Sequence, residues 1–148
     1  VISHFHKFLR RFKMGPNDVD LARVFVRELR EKSVVGEESI DIKSGLQIVV
    51  EAEAGTAIHG NGTQFLTNIV VRDLTANNNI SATPAGGFTG QMDTAAWQPF
   101  DKQFLFSVAP GLLANREDHL CEVLAFLKAG ITNPDIEFAT SYTFILTK

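Results

Sequence analysis

The chain has one cysteine, one tryptophan, one tyrosine and five prolines in 148 residues. A lone cysteine, Cys121, excludes an intrachain disulfide and the frameworks that staple small secreted domains, which favours a reducing compartment or a virion-type assembly. The scarcity of proline, with 45% apolar and 21% charged residues, excludes a disordered chain and points to an ordinary globular protein. Charges or glycines interrupt every apolar run within a few residues, which leaves no candidate for a membrane-spanning helix. The segment from Val1 to Lys13 lacks the order of a secretory signal, because its charges lie among and after its apolar residues. Twelve phenylalanines against a single Trp and a single Tyr make the aromatic content almost wholly apolar, which suits cores and subunit contacts.

What the chain does have is an uneven charge. Residues 1–32 carry eight basic and four acidic side chains, a net of +4, while the remaining 116 carry six and thirteen, a net of −7. A cationic segment on an anionic body suggests an arm that docks on something, a second copy of the body included. The length suits one domain plus such an arm, with residues 1–33 as a basic helical arm and 34–148 as a β-rich domain.

Within the arm, Ile2, Phe5, Leu9 and Phe12 recur at steps of 3, 4 and 3, with Phe8 beside them. That spacing predicts an amphipathic helix whose other surface carries Lys7, Arg10, Arg11 and Lys13. Gly15-Pro16 stops it. A second helix is expected from Asn17 or Asp18, with the stripe Leu21, Val24, Phe25 and Leu29. From Ser39 the period becomes two. Ile40 and Ile42, then Leu46, Ile48 and Val50, predict a hairpin turning at Ser44-Gly45, and a further strand is expected near Ala57 with a turn at His59–Gly62. Gln64 to Leu74 is the strongest central strand, and Lys102–Val108 and Ile136–Leu146 read as two more. Residues 75–99 read as a long loop or short edge strands, a feature that is usually functional or disordered. Residues 115–128 fit a helix capped by Asn115 with the stripe Leu120, Val123, Leu124 and Leu127, or else a strand buried on both faces; the caps favour the helix.

Few residues suggest chemistry. His4 and His6 splay apart on a helix, so they read as solvated charges and not as a metal pair. His119 and Cys121 point about 200° apart on a helix, and on a strand the thiol lies among apolar neighbours, so a structural cysteine is expected in place of a nucleophile. Glu51 and Glu53 share a strand face, most simply a solvated one. Gly60-Asn61-Gly62 and Gly86-Gly87 lack the lysine and the strand-to-helix setting of a phosphate loop and read as turns. No cofactor or metal motif is present.

The expected fold is mainly β, an antiparallel sandwich of roughly seven to eight strands preceded by amphipathic helices, with an α+β arrangement as the alternative. The function expected first is that of a non-enzymatic structural subunit, such as a coat, shell or fibre component, which forms a homo-oligomer through the arm residues Ile2, Phe5, Phe8, Leu9, Phe12, Arg10 and Arg11. The aromatic stripe favours a protein groove over an anionic membrane surface, and either over nucleic acid. The alternative is a carbohydrate- or other ligand-binding module using Asn78, Asn79, Trp97 and Gln98, in which Trp97 either stacks on a sugar or lies in the core beneath its loop. An enzyme whose residues gather only in three dimensions is the third class.

Overall fold

The computed structural model describes residues 15–30 and 35–148. Among these residues ten strands fall in two sheets. The smaller sheet is antiparallel, in the order β1 (Val19–Glu28), β3 (Leu46–Ala54), β7 (Asp101–Val108). The larger has β4 (Gln64–Asp73) paired to β8 (Leu120–Ala129) at its centre. Along the outer edge of β4 run β5 (Asn78–Ile80) and β6 (Phe88–Gln91). Along that of β8 run β9 (Asp135–Thr140) and β10 (Phe144–Thr147), and β2 (Ser39–Asp41) adds to β10 in parallel. Two short helices, α1 (Thr56–Gly60) and α2 (Pro110–Leu113), connect strands. The mainly β class is as expected, and among the described residues no helix is long and apolar enough to cross a membrane.

The core lies between the sheets. Alternation in β4 sends Phe65, Thr67, Ile69, Val71 and Asp73 inward, and alternation in β8 sends Cys121, Val123, Ala125, Leu127 and Ala129 inward. They meet Leu46, Ile48 and Val50 of β3 and Phe104, Phe106 and Val108 of β7. At one end the Trp97 ring stands edge-on to Phe65 and Phe104, with centroids 5.1 and 5.5 Å away.

Several expectations need correction. The helix expected from residue 17 is strand β1. Its stripe imitates a helix because a bulge between Leu21 and Arg23 inserts one residue, so the inward positions run Val19, Leu21, Val24, Val26, with a helix-like step of three in the middle. The helix expected over 115–128 is strand β8, led in by turns. Asn115 and Asp118, which look like caps, adopt positive φ of 65° each, and such turns suit short polar side chains.

The hairpin expected at Ser44-Gly45 is a crossover: β2 joins the large sheet and β3 the small one. Residues near Ala57 form α1, not a strand. The strand expected over 136–146 is two, broken where Ser141 both donates its N–H to the Val123 carbonyl, at 2.9 Å, and accepts the Val123 N–H on its hydroxyl, also at 2.9 Å. The stretch 75–99 does contain short edge strands, and it links the sheets through a bridge from Thr83 to Ser107. The first expected helix, with Ile2, Phe5, Phe8, Leu9, Arg10, Arg11 and Phe12, lies outside the described residues.

Candidate functional site

Three surface features stand out. The first is the outer face of the large sheet. Apolar residues recur among the outward positions of three neighbouring strands: Leu66 and Val70 in β4, Leu120, Leu124 and Phe126 in β8, Ile136 and Phe138 in β9. Register lines them up across the strands. Val70 stands opposite Leu124, Asn68 opposite Phe126, and Phe126 opposite Phe138. Phe138 is 66% exposed and Leu124 43%. Apolar side chains adjoining in this way, with Arg72, Glu122 and Lys128 interspersed, mark a contact surface more often than a solvated one.

The second feature is the end of the sandwich where β4 finishes and β8 begins. Asp73 occupies the last inward position of β4 and its side chain is fully buried. The turn after β4 donates the Ala76 N–H to Asp73 Oδ1 at 2.9 Å. The turn before β8 supplies Arg116 Nη1 and His119 Nδ1, 2.6 and 2.7 Å from Asp73 Oδ2. An ionised carboxylate only accepts, so the Nδ1 of His119 carries the proton in this bond. Arg116 also donates to the Asn78 side chain at 2.7 Å and to the Leu112 carbonyl at 3.2 Å. Burial alone would raise the Asp73 pKa, but the Ala76, His119 and Arg116 hydrogen bonds outweigh it and hold it at about 2.

Cys121 lies next to this cluster, paired to Asp73 across the strands. Burial first, and the Asp73 charge second, push its thiol up to about 12. His119 is bonded to Asp73 and not to the thiol, and a thiol of this kind is no nucleophile.

The residues read as a ligand loop are divided. Asn78 and Asn79 stand exposed on β5 beside this cluster, with Asn79 accepting from Arg72 at 3.1 Å. Trp97 has the core role. It is 0% exposed and donates its indole N–H to the Phe100 carbonyl at 3.3 Å. Gln98 is exposed beside it. The Asp73–Arg116–His119 cluster was missed in the sequence because its members lie 43 and 46 positions apart. One signal was available: Asp73 falls in the inward phase of a strand, where a carboxylate needs partners.

The third feature is the outer face of the small sheet. Asp20, Glu53 and Asp101 stand in one cross-strand row, and Glu51 lies in the next, 2.5 Å from Arg23. Among the described residues no group of three or more His, Cys, Asp or Glu is arranged to hold a metal ion.

No family model and no curated protein matches the chain. Solved structures do resemble it in fold. One is the C-terminal domain of Wzt, with a TM-score of 0.50, 10% identity and coverage of 91% of this chain and 77% of that one. Another is AggA, the major subunit of aggregative adherence fimbriae type I from Escherichia coli, with a TM-score of 0.50, 8% identity and coverage of 88% and 97%. At such identity the likeness is one of fold alone, a two-sheet β domain.

Proposed function

We propose that the protein is a structural subunit that assembles with copies of itself through the outer face of the large sheet. The observation that carries this reading is the apolar face built by Val70, Leu124, Phe126 and Phe138 on the two central strands and β9. A solvated sheet face is mostly polar, whereas here Val70, Leu124, Phe126 and Phe138 adjoin one another between the polar Asn68, Arg72, Glu122 and Lys128. The fold shared with a fimbrial major subunit supports the same reading. Light scattering over a range of concentrations tests it. A mass rising to dimer or higher in the full chain is the expected result, and a monomer at every concentration and salt overturns it.

A second reading draws on the polar rim of Asn78, Asn79 and Arg116 at the end of the sandwich. These side chains suit a polar ligand such as a carbohydrate, held without Trp97. Binding on a glycan array that is lost in Asn79→Ala would put this reading first, and an array without signal removes it.

A further inference from the structure

The outer face of the large sheet carries two charges whose positions decide how a second copy can lie on it. On β8 the outward residues run Leu120, Glu122, Leu124, Phe126 and Lys128, while Ala125, between Leu124 and Phe126, points into the core. Counted from Ala125, Leu124 and Phe126 lie one residue to either side, and Glu122 and Lys128 three residues to either side. An apolar centre and two opposite charges are thus spaced evenly about one point of the strand.

Glu122 stands opposite Arg72 in the register, but the Arg72 guanidinium is held by the side chains of Asn79, at 3.1 Å, and Asn77. Lys128 stands between Leu66 on β4 and Ile136 on β9, neither of which can pair with a charge. Among the described residues neither Glu122 nor Lys128 takes part in an ion pair.

We propose that two copies pack these faces together around a two-fold axis at Ala125, with β8 over β8 in opposite directions, so that Lys128 of each copy meets Glu122 of the other. This rests on the self-assembly reading above and fixes the geometry of the contact. Aligned sheets pack about 10 Å apart with their strands crossing at about 30°, so a two-fold axis between them runs nearly along the strands or nearly across them. An axis along the strands sets Lys128 over Lys128 and Glu122 over Glu122, and like charges placed face to face are costly. An axis across the strands sets Lys128 over Glu122 twice, and Phe126 over Leu124 twice in the middle. Three residues from the axis, about 10 Å along the strand, the crossing shifts the two charges about 5 Å sideways, which the long side chains of Lys and Glu span. A contact of this kind uses the same patch on both copies and closes on itself. This face therefore makes a dimer, and growth beyond two copies uses another surface.

Cross-linking through introduced cysteines tests the arrangement. Lys128→Cys and Glu122→Cys are treated with a short bis-maleimide, each alone and then mixed; Cys121 is buried and does not compete. The mixture is expected to give a cross-linked dimer and each variant alone a monomer, because like positions lie about 20 Å apart along the strand direction. A cross-linked dimer from Lys128→Cys alone, or none from the mixture, overturns the two-fold arrangement. Charge reversal gives a second measure. Lys128→Glu should weaken dimerisation about tenfold or more, and adding Glu122→Lys in the same chain should bring the dissociation constant back to within about threefold of the wild type. A constant unmoved by the first change, or not recovered by the second, also overturns it. The two levels fail separately: a wild-type chain that stays monomeric at every concentration removes the self-assembly reading and this geometry with it, whereas a wild-type chain that associates without these cross-links and charge effects removes the geometry alone.

Discussion

His119 Nδ1 lies 2.7 Å from Asp73 Oδ2, the same oxygen that Arg116 Nη1 reaches at 2.6 Å. One buried carboxylate thereby fastens the turn before β8 to the end of β4, and through Arg116 to Asn78 on β5. Its pKa is lowered from 3.8 to about 2. A lowered pKa in the folded state means that unfolding takes up a proton as the solution is acidified. The stability that Asp73 contributes is therefore present in full above about pH 4 and is lost as the pH falls from there towards 2. Urea titrations between pH 5 and 2 should show a loss of about 2 kcal/mol from this group, and the loss should be absent in Asp73→Asn.

Asp73→Asn itself is expected to destabilise the fold near neutral pH by about 3 kcal/mol, as when a buried ion pair loses one partner. Arg116→Ala should cost less, because that side chain retains 20% exposure and water replaces part of what it gives up. Denaturation midpoints of the two variants measure the difference. A negligible cost in Arg116→Ala would mean that the carboxylate is held by His119 and Ala76 alone.

A thiol raised to about 12 by burial and by the Asp73 charge is shielded from reagents on both counts. Cys121 is expected to react with a thiol-exchange reagent only upon unfolding, so that its labelling rate follows denaturant in parallel with loss of structure. Rapid labelling of the native chain would show that β8 opens locally next to the cluster.

The strands that were legible in the sequence are those with one apolar face. β4 and β7 alternate as amphipathic strands must, and Phe65, Phe104 and Phe106 fall in the core because the period of two puts them there. β1 and β8 were illegible for two different reasons. In β1 an inserted residue breaks the period, and Leu21 and Val24 then stand three apart while facing the same side. In β8 both faces are apolar, so that Leu120 and Leu124, which are exposed, complete a helix-like stripe with the buried Val123 and Leu127. Sheet membership could not be read at all. The connection through Ser44-Gly45 has the same residues whether β3 returns beside β2 or crosses to the other sheet, and only the partners far away in the chain decide it.

Trp97 separates the roles that its type allowed. Fully buried, edge-on to Phe65 and Phe104 and bonded to the Phe100 carbonyl, it anchors the end of the long connection between β6 and β7. Trp97→Ala should cost about 3–5 kcal/mol by the cavity it leaves. Trp97→Phe should cost less, because it keeps most of the volume and forfeits one hydrogen bond. Thermal melts of both check the order. A melting temperature unchanged in Trp97→Ala would mean that the connection does not depend on the ring.

Phe138 and Leu124 give the opposite expectation. Both project from the outer face of the large sheet, at 66% and 43% exposure, and neither fills space between the sheets. Replacing such a side chain in an isolated subunit changes stability by no more than about 0.5 kcal/mol. In an assembly that buries this face, the same change places a charge in a desolvated apolar contact, which costs several-fold more. Phe138→Lys and Leu124→Lys are therefore expected to unfold at nearly the wild-type denaturant concentration when dilute, yet to remain monomeric at concentrations where the wild-type chain associates. Sedimentation velocity on the three proteins reads the outcome. If the variants associate as the wild type does, the contact between copies lies elsewhere; if they fail to fold when dilute, the face belongs to the interior of the subunit itself.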